Sequence, residues 1–589
     1  MILGKSISQG IGFKLINYPE NPPDYKAYPG FPLILSFFYF ILGSKFIESN
    51  ILIVSKIIVV SCFILSVLFF YLVAKKDLDR LTLLLASIFF ITHPELLSFS
   101  SKVMTETVYN LFLLITLYFY NLNKNNDIDS IKVIKDKNIS ICVNVKSNNF
   151  LSDKNNNRNN NIKNINSFDN INTYLSCKNK EDVKNKNDKS NKSLNLNKEK
   201  INKGNYNLFK RIKKHLNLKF ILLIFFSIFT FLIRPIGLFI ILAIFIQIFL
   251  SENKIRSGIY FVFTLVPVIL WNLRAVISNK VSYVSEFFKV NLSDYSEGNI
   301  DFIKFFERAK SNFDYYFKAV FSQLTNGLED ILKGNISNIL RRNIFVIKNS
   351  NFFKILKNKD LHFIAIILVI IFIILGIIYF FKKRKYVYVI YSILYFLGLL
   401  LWPWQSERLT ICAIPILIIL FSSGVLFFKE IILKISTKKI IKIFASIVLI
   451  LTFIIFLVGS TYSGYLVINK SLDYKNNKKF IYGKSWENFY DAMYWLKENS
   501  YDGSSILSRS NLLVYIITNR ETIAFPYSED ELKQKKYLNK SDFIIQDKTN
   551  ERFMKYVYPI IEKYKENFKT VYEAGNGGTV VYERLKKLD

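Results

Sequence analysis

Acidic residues are scarce in this chain relative to basic ones, 45 Asp and Glu against 79 Lys and Arg, which gives 589 residues a formal charge of +34. Histidine and cysteine are scarcer still, at three and four residues. His93, His215 and His362 are too scattered to suggest a zinc site. Cys62, Cys142, Cys177 and Cys412 have neither metal-ligand spacing nor the even framework of a small disulfide-stapled domain. The opening residues lack the basic stretch followed by an apolar core that marks a signal peptide. No internal repeat is visible. The basic excess does not indicate a nucleic-acid partner, because Lys and Arg lie in connections between apolar runs and in one Asn-rich segment.

What the chain has in quantity is apolar sequence: hydrophobic residues are 51%, aromatic residues 16% and the mean hydropathy is +0.23. Runs approaching the roughly 20 apolar residues needed to cross a bilayer recur at about Ile51–Val73, 81–93, 106–121, 218–233, 235–251, 257–273, 362–381, 386–404, 409–428 and 442–460. The expected fold is therefore a polytopic α-helical membrane protein of about ten spans, multi-pass in a plasma (inner) membrane. Lys75, Lys76 and Arg80, then Lys254 and Arg256, then Lys382 to Lys385, then Lys429, Lys434, Lys438 and Lys439 mark the inner connections. That assignment puts residues 94–105, the long loop 274–361 and residues 461–589 outside. The 13 apolar residues Phe31–Gly43 are too few for a comfortable span and read as an interfacial or re-entrant helix in a region 1–50.

Residues 122–217 are rich in Asn and Lys and poor in apolar runs, so they cannot bury enough surface to offset chain entropy and are expected to be disordered. The outside loop shows amphipathic helical spacing over Phe302–Val320. Residues 461–589 change character and read as a small α/β domain. Trp486–Leu496 and Glu551–Phe568 are its expected helices, and Ser505–Leu507, Thr522–Phe525, Phe543–Gln546, Thr570–Glu573 and Thr579–Glu583 its expected strands. The last two strands flank Gly575-Asn576-Gly577-Gly578, a hairpin signal.

A polar hinge, Pro94 to Tyr109, separates two apolar runs, and hydrocarbon cannot satisfy loop backbone. Glu95 and Glu106 therefore belong at a membrane face. Glu106 opens a helix otherwise almost free of charge, which makes it a functional candidate, although an acid at a helix N-terminus also has a purely structural use.

Several short motifs resemble the C-type (GT-C) superfamily of membrane glycosyltransferases, in the branch of the protein mannosyltransferases and the lipid A aminoarabinose transferase. Tyr28-Pro29-Gly30-Phe31-Pro32-Leu33-Ile34-Leu35 resembles the first-loop segment of that family, and Pro94-Glu95 with Met104-Thr105-Glu106-Thr107 its second loop. Arg234-Pro235-Ile236-Gly237 and Trp271-Asn272-Leu273-Arg274 resemble later helix ends, and Arg408-Leu409 with Pro415 resembles an Arg-Tyr-Leu-Leu-Pro segment of the family. The resemblance implies transfer of a sugar from a polyprenyl-phosphate carrier to a lipid, glycan or protein acceptor at the outer face.

A carboxylate must orient or deprotonate the acceptor hydroxyl, and cations must stabilise the departing phosphate. Glu106 and Asp24 are the candidate catalytic acids. Lys26, Arg234, Arg274 and Arg408 are the candidates for the donor phosphate, each with an interfacial snorkelling role as the alternative. Tyr28, Pro29, Gly30 and Pro32 are expected to shape the loop. A divalent metal bridging carboxylate and phosphate is chemically compatible, but no ligand cluster is legible. In the family a membrane helix precedes the first outside loop, and the principal catalytic acid lies just beyond that helix. Here Ile51 begins the first span, so the resemblance leads to the expectation of a truncated start, and without one of an inactive relative. Two further readings stand beside the enzyme: a flippase or transporter of a lipid-linked saccharide, and a non-catalytic membrane scaffold.

Overall fold

The computed structural model describes residues 1–123, 216–251, 254–278, 286–290, 298–332, 359–435, 439–477, 484–548, 550–575 and 578–588. Cys142, Cys177, His215 and almost all of the expected disordered insert lie outside the described residues. By contact the chain divides into one unit of residues 1–118 with 223–589 and a second of residues 119–222. The apolar bundle, the C-terminal sheet and the candidate site residues belong to the first unit.

Among the described residues, three helices are long and apolar enough to cross a membrane: Asn50–Ala74, Lys254–Ile277 and Glu407–Ile435. A fourth is added if Arg80–Thr92 and Pro94–Ser100, bent by 49° at His93, count as one broken span. Gly30–Leu42, Leu218–Ile233, Pro235–Leu250, Ile366–Lys382 and Val387–Leu401 are shorter apolar helices. Of the ten expected runs, three lie on these long helices, and 81–93 is the first part of the bent pair. Runs 218–233, 235–251, 362–381 and 386–404 are the shorter apolar helices, and 106–121 and 442–460 lie on the helices 105–123 and Lys439–Asn477. Much of the polar hinge is itself helical, and a second break at residues 101–104 precedes the helix that carries Glu106.

The Glu407–Ile435 segment runs through the middle of the bundle, with 94% of its apolar window buried. Phe421 explains part of that, because its ring lies 5.4 to 6.5 Å from those of Phe453, Phe456, Phe372 and Phe89. Its approach to the Lys359–Lys382 helix depends on glycine. A Cβ on Gly376 would overlap the Leu420 carbonyl, and one on Gly424 the Phe372 carbonyl. Small residues are what lets apolar helices come this close without water to drive them together. One end of the bundle is closed by ion pairs, Asp77 with Lys385 and Asp79 with Lys429 at 3.1 Å. Asp79 also caps its helix by accepting from the Thr82 N–H at 2.8 Å.

The amphipathic stretch expected over Phe302–Val320 is a 31-residue helix, Phe302–Leu332. It grips the end of the Val387–Leu401 helix through Asn312, whose Nδ2 donates to the carbonyls of Leu399, Leu400 and Trp402 at 3.3, 2.9 and 2.7 Å.

The C-terminal residues form a five-stranded sheet ordered β2-β1-β3-β5-β4. Its strands are β1 (Ser505–Leu507), β2 (Glu521–Ile523), β3 (Phe543–Asp547), β4 (Phe568–Ala574) and β5 (Thr579–Arg584). β1 pairs in parallel with β2 and β3, while β5 is antiparallel to β3 and β4. Period-two alternation sends Ile506, Phe543 and Ile545 to one core, with Phe489 and Val514, and Leu507 and Ile544 to the other, with Phe553 and Val557.

Several element boundaries differ from expectation, and those with a local cause involve proline. The single helix over Glu551–Phe568 is two, Glu551–Tyr556 and Tyr558–Lys563, because Pro559 has no N–H to continue a helix and fits only its first turn. Phe568 already belongs to β4. β2 stops at Ile523, short of Phe525 and the Pro526 that follows it.

Candidate functional site

Glu106 is the second residue of the 105–123 helix and is fully buried. Its Oε1 meets Arg408 Nε at 2.7 Å and Arg234 Nη1 at 3.0 Å. Oε2 has no hydrogen-bond partner among the described residues. Three residues singled out on separate stretches of sequence are therefore one cluster.

Local sequence explains how each arrives. Pro235 disfavours the helical region for the residue before it, so Arg234 leaves the Leu218–Ile233 helix in an extended conformation, φ −149°. The chain then doubles back so tightly that a Cβ on Gly237 would come within 2.6 Å of the Phe231 backbone. Arg234 Nη1 also reaches Cys412 Sγ at 3.3 Å.

Arg408 sits on the 3-10 segment Glu407–Ala413, which is held from all sides. Tyr395 donates its hydroxyl to the Leu409 carbonyl, Asn110 Nδ2 to that of Ile411 at 3.4 Å and Gln323 Nε2 to that of Glu407 at 3.1 Å. The Thr410 hydroxyl donates to Gln323 Oε1 at 2.5 Å. The backbone is fixed, yet the Arg408 side chain stays 48% exposed, against 10% for Arg234. The pair is a cationic site with one sealed and one open member.

Asp24 and Lys26 lie on the first loop. Asp24 Oδ1 accepts from the N–H groups of Lys26 and Ala27 at 2.7 and 3.0 Å, a turn made by the side chain. The Asp24 carbonyl accepts from Arg274 Nη2 at 2.9 Å. Arg274 itself is enclosed by rings, its guanidinium carbon 3.9 Å from the Trp271 centroid, 5.1 Å from Phe13 and 5.3 Å from Tyr25. Its geometry is that of a clamp on the loop. Lys26 Nζ pairs with buried Glu286 at 2.5 Å while remaining half-exposed.

The residues expected to shape the loop carry it onto the same helix end as Arg234. The Tyr28 ring packs edge-on against Phe231 at 5.2 Å. Pro29 precedes and Pro32 occupies the first turn of the Gly30–Leu42 helix. A Cβ on Gly30 would lie 2.7 to 2.8 Å from the Leu232–Ile233 backbone, so only glycine allows this seating. Arg234 is the next residue. The loop bearing Asp24 and the Glu106 cluster are thus anchored on one short stretch, residues 231–234.

No protein-family model matches the chain, and no curated protein does. Among solved structures, the crystal structure of the Archaeoglobus fulgidus oligosaccharyltransferase complex with zinc and sulfate is similar at a TM-score of 0.45 and 12% identity, over 99% of this chain and 68% of that one. What the site can do follows from its own residues. Among the described residues no three His, Cys, Asp or Glu side chains gather as metal ligands do. Glu286, Gln323, Cys412 and the rings around Arg274 were not singled out from the sequence. Each is brought in by tertiary packing, and only the Trp271-Asn272-Leu273-Arg274 motif gave a local signal.

Proposed function

We propose that this chain transfers a hexosyl or pentosyl unit from a polyprenyl-phosphate-linked donor to an acceptor hydroxyl at the outer membrane face. The observation that carries the reading is Arg408, whose guanidinium is held by the buried Glu106 carboxylate beside Arg234 and yet stays half-exposed. Arg408 meets Glu106 through Nε, and a phosphate anion at its open side is offered the bidentate geometry of arginine. Apolar helices all round suit the prenyl chain of such a donor. The motif resemblance supports the same reading.

In this scheme Glu106 orients the arginines, since two cations on one oxygen make it a poor base. Asp24 is the acceptor's base, with Oδ2 outside the turn that occupies Oδ1. The acceptor oxygen forms its bond to the anomeric carbon and gives its proton to Asp24. The bond from that carbon to the phosphate oxygen breaks, and its electron pair leaves with the polyprenyl phosphate. Arg408 and Arg234 stabilise the charge that develops there, and Lys26 supports the phosphate from the loop.

The test is release of polyprenyl phosphate by the full chain in phospholipid vesicles, across a panel of polyprenyl-phosphate sugars combined with lipid, glycan and peptide acceptors that carry hydroxyl groups. Arg408→Ala is expected to lower turnover on the order of a hundredfold or more, the usual effect of removing one stabilising donor. Wild-type turnover in that variant, or no release from any donor by a folded wild-type protein, overturns the reading.

A further inference from the structure

The Phe302–Leu332 helix has three faces where an ordinary surface helix has two. At 100° per residue, Asn312, Tyr316 and Ala319 fall together and are buried against the protein. Glu307, Ser311, Asp314 and Lys318 form a second, exposed and polar face. Between them runs a third, made of Phe302, Phe306, Phe313 and Phe317, which are 76, 60, 53 and 41% exposed, with Ile303 beside them at 72%. The rings pair along the stripe, Phe302 with Phe306 at 4.8 Å and Phe313 with Phe317 at 5.7 Å. Lys310 is the one charge on this face, and its long stem lets the ammonium leave the apolar surface. An apolar stripe of this length facing water is costly, and a separate polar face already serves the solvent.

We propose that this stripe rests in the interfacial layer of the lipid bilayer, so that the helix lies along the membrane surface with its aromatic face down. Continuity decides for lipid over a protein partner. Asn312, next to Phe313, is fastened to the last carbonyls of the Val387–Leu401 helix. One to two turns back along that apolar helix, Leu397 and Ile393 are 50% and 52% exposed. The aromatic stripe therefore runs past the point where a helix with a bare apolar side ends, at the level where Phe, Trp and Tyr side chains prefer to sit in a membrane. Trp402 and Trp404 stand at the same junction, 5.1 Å apart. The proposal rests on the membrane setting and is independent of the sugar-transfer reading.

The experiment is photolabelling of the full chain in phosphatidylethanolamine–phosphatidylglycerol vesicles that contain a phospholipid with a diazirine near its head group, read by peptide mass spectrometry. Adducts on Phe302, Phe306, Phe313 and Phe317 are expected to exceed those on Glu307, Ser311, Asp314 and Lys318 by about tenfold. A lipid carrying its diazirine at the chain terminus should label Ile393 and Leu397 and confirm insertion. Equal labelling of the two faces of the Phe302–Leu332 helix overturns the proposal. So does a stripe that is unlabelled in inserted protein, whether hydroxyl radicals oxidise it, which means water, or spare it, which means a protein cover.

Discussion

At the scale of single residues, the sequence picks out charged groups that the fold brings together more readily than it assigns their parts. Glu106, Arg234 and Arg408 are each singled out by position alone, as charges at the ends of apolar runs, and the fold brings them within hydrogen-bond distance. Charges that cannot be left alone in apolar surroundings find each other. Arg274 shows the limit of that reasoning. Its place at a helix end resembles that of Arg234, but a cage of Phe13, Tyr25 and Trp271 can be formed only by folding. The two arginines should therefore fail differently. Arg274→Lys keeps the charge but loses the flat stack on Trp271 and the fork that reaches the Asp24 carbonyl. On the proposed reading it should lower kcat while leaving the donor KM near wild type, because it positions the base and does not hold the phosphate. A rise in donor KM at constant kcat would return Arg274 to the donor-binding set. Steady-state kinetics with varied donor separates the two outcomes.

At the scale of elements, β1 and the start of β3 were legible to the residue, because short β-branched runs between polar turns have few other uses. The turn at Gly575, in the left-handed region at φ 61°, follows from the glycine-rich sequence. Span lengths were not legible. Hydropathy reports that a run is apolar, but whether the helix continues through it depends on breaks such as His93 and Pro235, where tertiary contacts decide. Glycine tests which helix contacts matter. Gly30→Ala places a methyl against the Leu232–Ile233 backbone, which has no side chain to move aside. It should cost about 1 to 3 kcal/mol, the range for overpacking, and lower the melting temperature of the detergent-solubilised protein. Gly258→Ala, where an added Cβ meets nothing within 4 Å, should leave that temperature unchanged or raise it, since alanine is the better helix former. Equal shifts in both variants would mean that the loop's seat on residues 231–233 is not tightly packed.

At the scale of the whole molecule, the first loop is held at both ends, and this ties the α/β domain to the candidate site. β2 is an edge strand, and an uncovered edge is a liability. Here Asn17 covers it: the Thr522 N–H donates to the Asn17 carbonyl at 2.6 Å, and Asn17 Nδ2 donates to the Thr522 hydroxyl at 3.2 Å. Beside it Asn511 Nδ2 donates to the Tyr18 hydroxyl at 3.0 Å. Seven residues on, Arg274 takes the Asp24 carbonyl. No sequence pattern announces this, because Asn17 and Thr522 are 505 residues apart and each is an ordinary polar residue. The contact should be measurable at one amide. Asn17→Ala with Tyr18→Phe removes two side-chain hydrogen bonds at about 1 kcal/mol each. Local opening should then become easier, and the Thr522 amide should exchange its hydrogen on the order of thirtyfold faster. The Ile544 and Ile545 amides, at the centre of the sheet, should be unaffected. Faster exchange at all three would mean that the domain as a whole has been destabilised, and no change at Thr522 would mean that the loop does not hold the edge. Selective loss at Thr522 would show that the loop carrying Asp24 uses the α/β domain as its outer support, so that whatever docks on that domain can bear on the candidate base through seven residues of chain.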